Sequence, residues 1–103
     1  MLNTTTFPYP PIPKLKVLPL REQPAYRVRA NAAFCSLSEL LATVIGGTQQ
    51  IEIAEALLAR FGGDLTRIYH AHTTQIASIH GLGESTAVRL KAALALGLKL
   101  SEP

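Results

Sequence analysis

Two glycines bracket one leucine at Gly81-Leu82-Gly83, and this triplet limits the possible folds more than any other part of the chain. On either side, Ile76-Ala-Ser-Ile-His80 and Glu84-Ser-Thr-Ala-Val-Arg-Leu90 place apolar residues at helical spacing. The stretch therefore predicts a short helix, a sharp turn, and a second helix starting near Ser85. Glycine permits the left-handed backbone such a turn needs and leaves no side chain between the backbone and a partner. The second helix brings unpaired N–H groups and the positive end of its dipole to the same spot. An anion such as a nucleic-acid phosphate can bind there without a charged side chain.

The rest of the chain reads as helices separated by glycine pairs. Pro24 opens a short helix at its first position, running to about Asn31. Ser36-Leu-Ser-Glu39 has the spacing of a capping box, followed by Leu37, Leu40, Leu41, Val44 and Ile45 on a helix that Gly46-Gly47 ends. Thr48 is the expected cap of the next helix, from about Gln49 to Arg60, with Ile51, Ala54, Leu57, Leu58 and Phe61 as its apolar stripe. Gly62-Gly63 breaks it, and Asp64 caps a short Leu65–Tyr69 turn. His72 or Thr73 caps the helix carrying Gln75, Ile76 and Ile79. After the Gly-Leu-Gly turn, Ala87, Leu90, Leu94 and Leu98 share a face; Gly97 either allows close packing or begins the termination. The expected fold is all-α: a compact tandem helix-hairpin-helix domain over residues 21–103, preceded by an extended Pro-rich arm over 1–20.

That arm carries Pro8, Pro10, Pro11, Pro13 and Pro19, a spacing that opposes helix and favours extended polyproline-like chain. Its apolar residues Phe7, Tyr9, Ile12, Leu15 and Val17 leave two outcomes open, a loose tail or a docked segment. At 103 residues the chain makes one domain at most, and 48% hydrophobic residues with only 6% aromatics favour packed helices over a β-sandwich. A single cysteine, Cys35, excludes an internal disulfide and a cysteine-based zinc site. Met1–Thr6 lacks the basic and apolar regions of a secretion signal, and no apolar run reaches membrane-spanning length. A cytoplasmic location with no membrane partner is the expectation.

The net charge of +3 is unevenly distributed. Residues 14–29 hold five basic side chains, Lys14, Lys16, Arg21, Arg27 and Arg29, against Glu22, a net +4; residues 30–103 carry five basic and six acidic side chains, a net −1. The basic footprint expected of a DNA binder thus lies on the N-terminal side, away in sequence from the glycine turn.

From about Leu20 to Leu100 the chain resembles the N-terminal region of the RadC family, long labelled DNA-repair proteins. The resemblance rests on Arg21-Glu-Gln-Pro24, Ser36-Leu-Ser-Glu-Leu-Leu-Ala42, Ala54-Glu-Ala-Leu-Leu-Ala-Arg-Phe-Gly62, Ile79-His-Gly-Leu-Gly-Glu-Ser-Thr-Ala87 and Lys91-Ala-Ala-Leu-Ala-Leu-Gly97. It implies a helical domain similar to the SAM-like and RuvA C-terminal folds. RadC-like proteins continue into a domain resembling a JAB/MPN metalloprotease, with a His-x-His…Ser…Asp zinc site. This chain has no such segment. His70 and His72 form a His-x-His without the Ser and Asp context, and surface or capping roles are expected of them. The resemblance therefore implies no metal, no cofactor and no enzymatic activity here.

The functional expectation is a non-sequence-specific DNA-binding module, linked by the resemblance to DNA repair. His80, Gly81, Leu82, Gly83, Ser85, Thr86, Arg89 and Lys91 are its candidate contacts, with Lys14, Lys16, Arg21, Arg27 and Arg29 as a secondary basic set. In that set Ser85 and Thr86 offer hydroxyl donors and Leu82 tucks inward to fix the turn; Glu84, outside the set, repels phosphate unless it points away. The alternative is a helical protein–protein interaction or scaffold domain whose hairpin is structural, working with a protein partner or a separate catalytic subunit.

Overall fold

The computed structural model describes residues 12–102. Among them every regular element is helical: α1 (Lys14–Val17), α2 (Pro24–Asn31), α3 (Leu37–Ile45), α4 (Gln50–Arg60), α5 (Leu65–His70), α6 (Thr73–Ala77) and α7 (Glu84–Ser101). Single 3-10 turns at Leu20–Glu22 and Ala32–Phe34 flank α2. The all-α expectation is met.

Local chemistry explains most of the boundaries. Pro24 occupies the first position of α2, where its missing N–H costs nothing. Ser36 and Glu39 close a reciprocal capping box on α3: the Ser36 Oγ accepts from the Glu39 N–H at 3.1 Å, and the Glu39 carboxylate accepts from the Ser36 N–H at 2.9 Å. Asp64 caps α5 by accepting from the Thr66 N–H at 2.9 Å. His72 caps α6 through its Nδ1, which accepts from the Thr74 N–H at 3.2 Å, while Gln75 Oε1 accepts from the His72 N–H at 2.9 Å. Thr48 does not cap α4. That helix starts one residue later than its spacing suggested, Gln49 takes the cap position without a side-chain bond, and the Gln50 amide donates to the Gly47 carbonyl at 2.8 Å.

The core gathers Leu41, Ala42 and Ile45 of α3, Ile51, Ile53, Ala54 and Leu57 of α4, Ile68 of α5, Ile76 of α6, and Ala87 and Leu90 of α7. Leu57, Ile68, Ile76 and Leu90 are fully buried there. Helix α3 packs on α4 across the Gly46-Gly47 turn, α6 packs on α7 across the Gly81-Leu82-Gly83 turn, and α3 also meets α7. Gly97 neither terminates α7 nor admits a close neighbour: the helix runs on to Ser101, and a Cβ at 97 would meet nothing within 4 Å.

The described part of the Pro-rich arm departs from the extended reading. Lys14–Val17 form one helical turn that docks on α4, with Leu15 and Leu18 against the core. A four-residue helix cannot sustain itself, and this one is held at both ends from outside. At its start the Glu52 carboxylate accepts from the Lys14 N–H at 2.7 Å. At its end the Gln23 amide donates to the carbonyls of Leu15 and Leu18 at 3.2 and 3.3 Å. Pro13 lies just outside the helix and Leu18, ahead of Pro19, is already extended, so neither proline interrupts the turn. Phe7 and Tyr9 lie outside the described residues.

Candidate nucleic-acid interface

The Gly81-Leu82-Gly83 turn forms as expected, with φ of +88° at Gly81 and +79° at Gly83. Leu82 is buried at 4% exposure and anchors it. The two glycines answer different needs. A Cβ on Gly81 would sit 3.1 Å from Ile53 Cδ1, so the turn rests directly on α4 at this point. Among the described residues nothing lies within 4 Å of the corresponding position on Gly83. Gly81 is thus a packing glycine, and Gly83 leaves the backbone open at the surface.

Gly83 is also the N-cap of α7 and supplies no side-chain cap. The first ladder bond of the helix runs from the Ala87 N–H to the Gly83 carbonyl. Among the described residues no acceptor meets the N–H groups of Glu84, Ser85 or Thr86. Three orphan donors and the positive end of an 18-residue helix therefore face solvent beside an exposed turn.

The side chains around this end divide into two groups. His80, Ser85 and Arg89 are exposed and Thr86 is half-buried. Arg89 Nη2 donates to Thr86 Oγ1 at 3.3 Å, which draws the guanidinium back over the first turn of α7. Glu84 is turned towards α6, where its Oε1 accepts from the Thr73 hydroxyl at 3.0 Å. Lys91 is engaged within the fold: its ammonium donates to the Ala71 carbonyl at 2.8 Å and lies 5.9 Å from the Tyr69 ring, bracing the α5–α6 junction against α7. The Thr73–Glu84 bond spans eleven residues and has no signature in local sequence.

The secondary basic set is partly neutralised by its own fold. Lys14 pairs with Glu55 at 2.8 Å, a hydrogen bond and charge pair that hold the ammonium above its ordinary pKa, with Glu52 adding a smaller contribution. Arg27 pairs with Glu39 across α2 and α3. Glu39 is in turn held below the ordinary carboxylate range, chiefly by the Ser36 backbone N–H, with Arg27 assisting and partial burial opposing. Lys16, Arg21 and Arg29 are exposed and take part in no ion pair among the described residues. Arg21 shares a shallow cleft with Tyr26 and Phe34.

His70 and His72 do not converge on a common ligand: His70 packs edge-on to Tyr69, and His72 is occupied as a cap. Among the described residues no three His, Cys, Asp or Glu side chains cluster in a metal-binding arrangement. Cys35 is half-buried, its Sγ 3.5 Å from the Asn31 carbonyl. No helix of the described residues is long and apolar enough to cross a membrane.

Comparison with known proteins finds relatives that share one name. A UPF0758 protein of Protochlamydia amoebophila, pc1765, is 37% identical over 90 residues, covering 82% of this chain and 38% of that protein. The homologues of this chain are named UPF0758 proteins, the RadC-family grouping. A UPF0758 protein of Thermotoga maritima is 38% identical over 77 residues, 71% of this chain and 35% of its own length. One from Carboxydothermus hydrogenoformans is 37% identical over 94 residues, 86% of this chain and 41% of its own length. The chain thus spans about two fifths of the length of these UPF0758 relatives or less. No family model matches the chain, and no solved structure does.

Proposed function

We propose that this chain is a non-catalytic DNA-binding module that grips the phosphate backbone without regard to base sequence. The grip is a helix-hairpin-helix: α6, the Gly81-Leu82-Gly83 turn, and the first turn of α7. The observation that carries the reading is the uncapped, exposed start of α7 beside Gly83, with the N–H groups of Glu84, Ser85 and Thr86 left without acceptors among the described residues. A phosphate oxygen supplies the missing acceptors, Gly83 lets it approach, and the Ser85 hydroxyl and Arg89 guanidinium add donors around it. Glu84, held to Thr73, does not occupy this position. A DNA-repair setting accords with the RadC grouping of the relatives. With so few contacts, affinity in the micromolar range or weaker is expected at physiological salt.

Fluorescence anisotropy of labelled duplex and forked DNA, titrated across a salt series, tests this. Replacing Gly83 is a poor probe, because its positive φ would strain any substitute. Ser85→Asp combined with Arg89→Ala is better: both residues are exposed, and an acid in the first turn favours the helix while repelling phosphate. Affinity should fall by about tenfold or more, the equivalent of roughly 1.4 kcal/mol. A folded double variant that binds DNA like the parent would rule out the α7 start as the contact.

A second reading has its own observation. Leu65 and Tyr69 of α5 with Ala93, Leu94 and Leu98 of α7 line an open apolar groove, a surface suited to a protein partner. Binding to neither DNA at low salt would leave the hairpin structural and favour this scaffold role.

A further inference from the structure

Helix α7 is apolar on two faces. Ala87, Leu90 and Leu94 turn inward, while Val88, Ala92, Leu96 and Leu100 recur every four residues on the outer side. Val88 is 53% exposed, Leu96 68% and Leu100 86%. A single exposed leucine is ordinary, but an apolar ridge over several turns of one helix has the form of a helix-packing seam.

We propose that this outer face pairs with the same face of a second copy, antiparallel and centred on Ala92. Three features select this occupant and direction. Ala92, at the two-fold axis, is small enough to let the two helices approach closely. With that centre, Val88 lies opposite Leu96 of the partner subunit and Leu96 opposite Val88 of the partner subunit, so each ridge fills the other. The charges also match: Glu84 comes within one residue of level with Lys99 of the partner subunit, a distance a lysine side chain spans. Glu84 has one carboxylate oxygen free of its Thr73 bond, and Lys99 is held only loosely by Glu102, at 3.7 Å. A parallel pairing would instead set Arg89 against Arg89 and Lys99 against Lys99. A seam one helix wide is smaller than the roughly 800 Å² per partner of a standard interface, so association should be weak.

The pairing is independent of DNA contact and is tested without DNA, by sedimentation equilibrium of the whole chain from micromolar to millimolar concentration. A monomer–dimer equilibrium should appear, and Leu96→Glu should weaken it by at least about tenfold while helical circular dichroism is unchanged, since Leu96 supports no core contact. Glu84→Lys and Lys99→Glu should each weaken the dimer, and the two together should restore it. A chain that stays monomeric at millimolar concentration overturns the proposal. So does a dimer indifferent to Leu96→Glu, or a charge swap that fails to restore association, because either places the contact elsewhere.

Discussion

At the scale of single residues, the two glycines of one turn separate what packing demands from what a ligand would use. Gly81→Ala combines a φ of +88° with a methyl 3.1 Å from Ile53, whereas Gly83→Ala meets only its backbone strain. Both should destabilise, Gly83→Ala by about 1–3 kcal/mol and Gly81→Ala by more, as chemical denaturation would show. Glu39 gives a pH-dependent counterpart. Its folded-state pKa lies below its unfolded value, because the Ser36 N–H and then Arg27 favour the charged form. The stability it contributes is therefore complete above the ordinary carboxylate pKa and is lost as pH falls through the lowered folded value. Glu39→Gln should flatten the acid limb of a stability–pH curve; an unchanged limb would show that other carboxylates set it. Ser36, Asp64 and Pro24 were legible in the sequence because a cap or a first-turn proline acts within three residues of itself. Lys91 was not, because its acceptor, Ala71, lies twenty residues away on another element.

At the scale of elements the same distinction decides α1. Proline spacing describes only what a segment does alone, and alone Lys14–Val17 would not be helical. Glu52 and Gln23 supply the bonds that make it so, from 38 and 8 residues away. Glu52→Ala or Gln23→Ala should undock the turn at a cost of about 1 kcal/mol each, the usual worth of a cap. Lys14 and Lys16 would then become readily accessible to trypsin, so limited proteolysis of the variants reads the change. Cleavage no faster than in the parent would mean that Leu15 and Leu18 hold the turn by packing alone. The helices α2 to α7 were foreseeable because each carries its own start signal or a glycine break. The docking of α1 was not, since Glu52 looks in sequence like a solvated charge.

At the scale of the whole molecule, charge is redistributed by folding. The net +4 of residues 14–29 is an attractive electrostatic footprint on paper, yet Lys14 and Arg27 are spent on Glu55 and Glu39. Deleting residues 1–29 would remove α1 and most of α2 together with the buried Pro24, so any loss of DNA affinity would be confounded with loss of structure. Neutralising Lys16, Arg21 and Arg29 to Gln is the cleaner comparison. If these three touch phosphates, the slope of log affinity against log salt should become shallower by up to about 0.9 per contact. An unchanged slope would assign the three to ordinary solvated surface.

The start of α7 has a further consequence for the molecule. Helices α3, α5 and α6 fill their first turns with their own side chains, and α1 borrows Glu52. Among the described residues the longest helix borrows nothing. Its first three amides should therefore exchange their hydrogens with water almost as fast as those of an unfolded peptide, although Ala87 and Leu90 just beyond are fully buried. Whatever completes that turn would announce itself by slowing three adjacent amides and no others nearby.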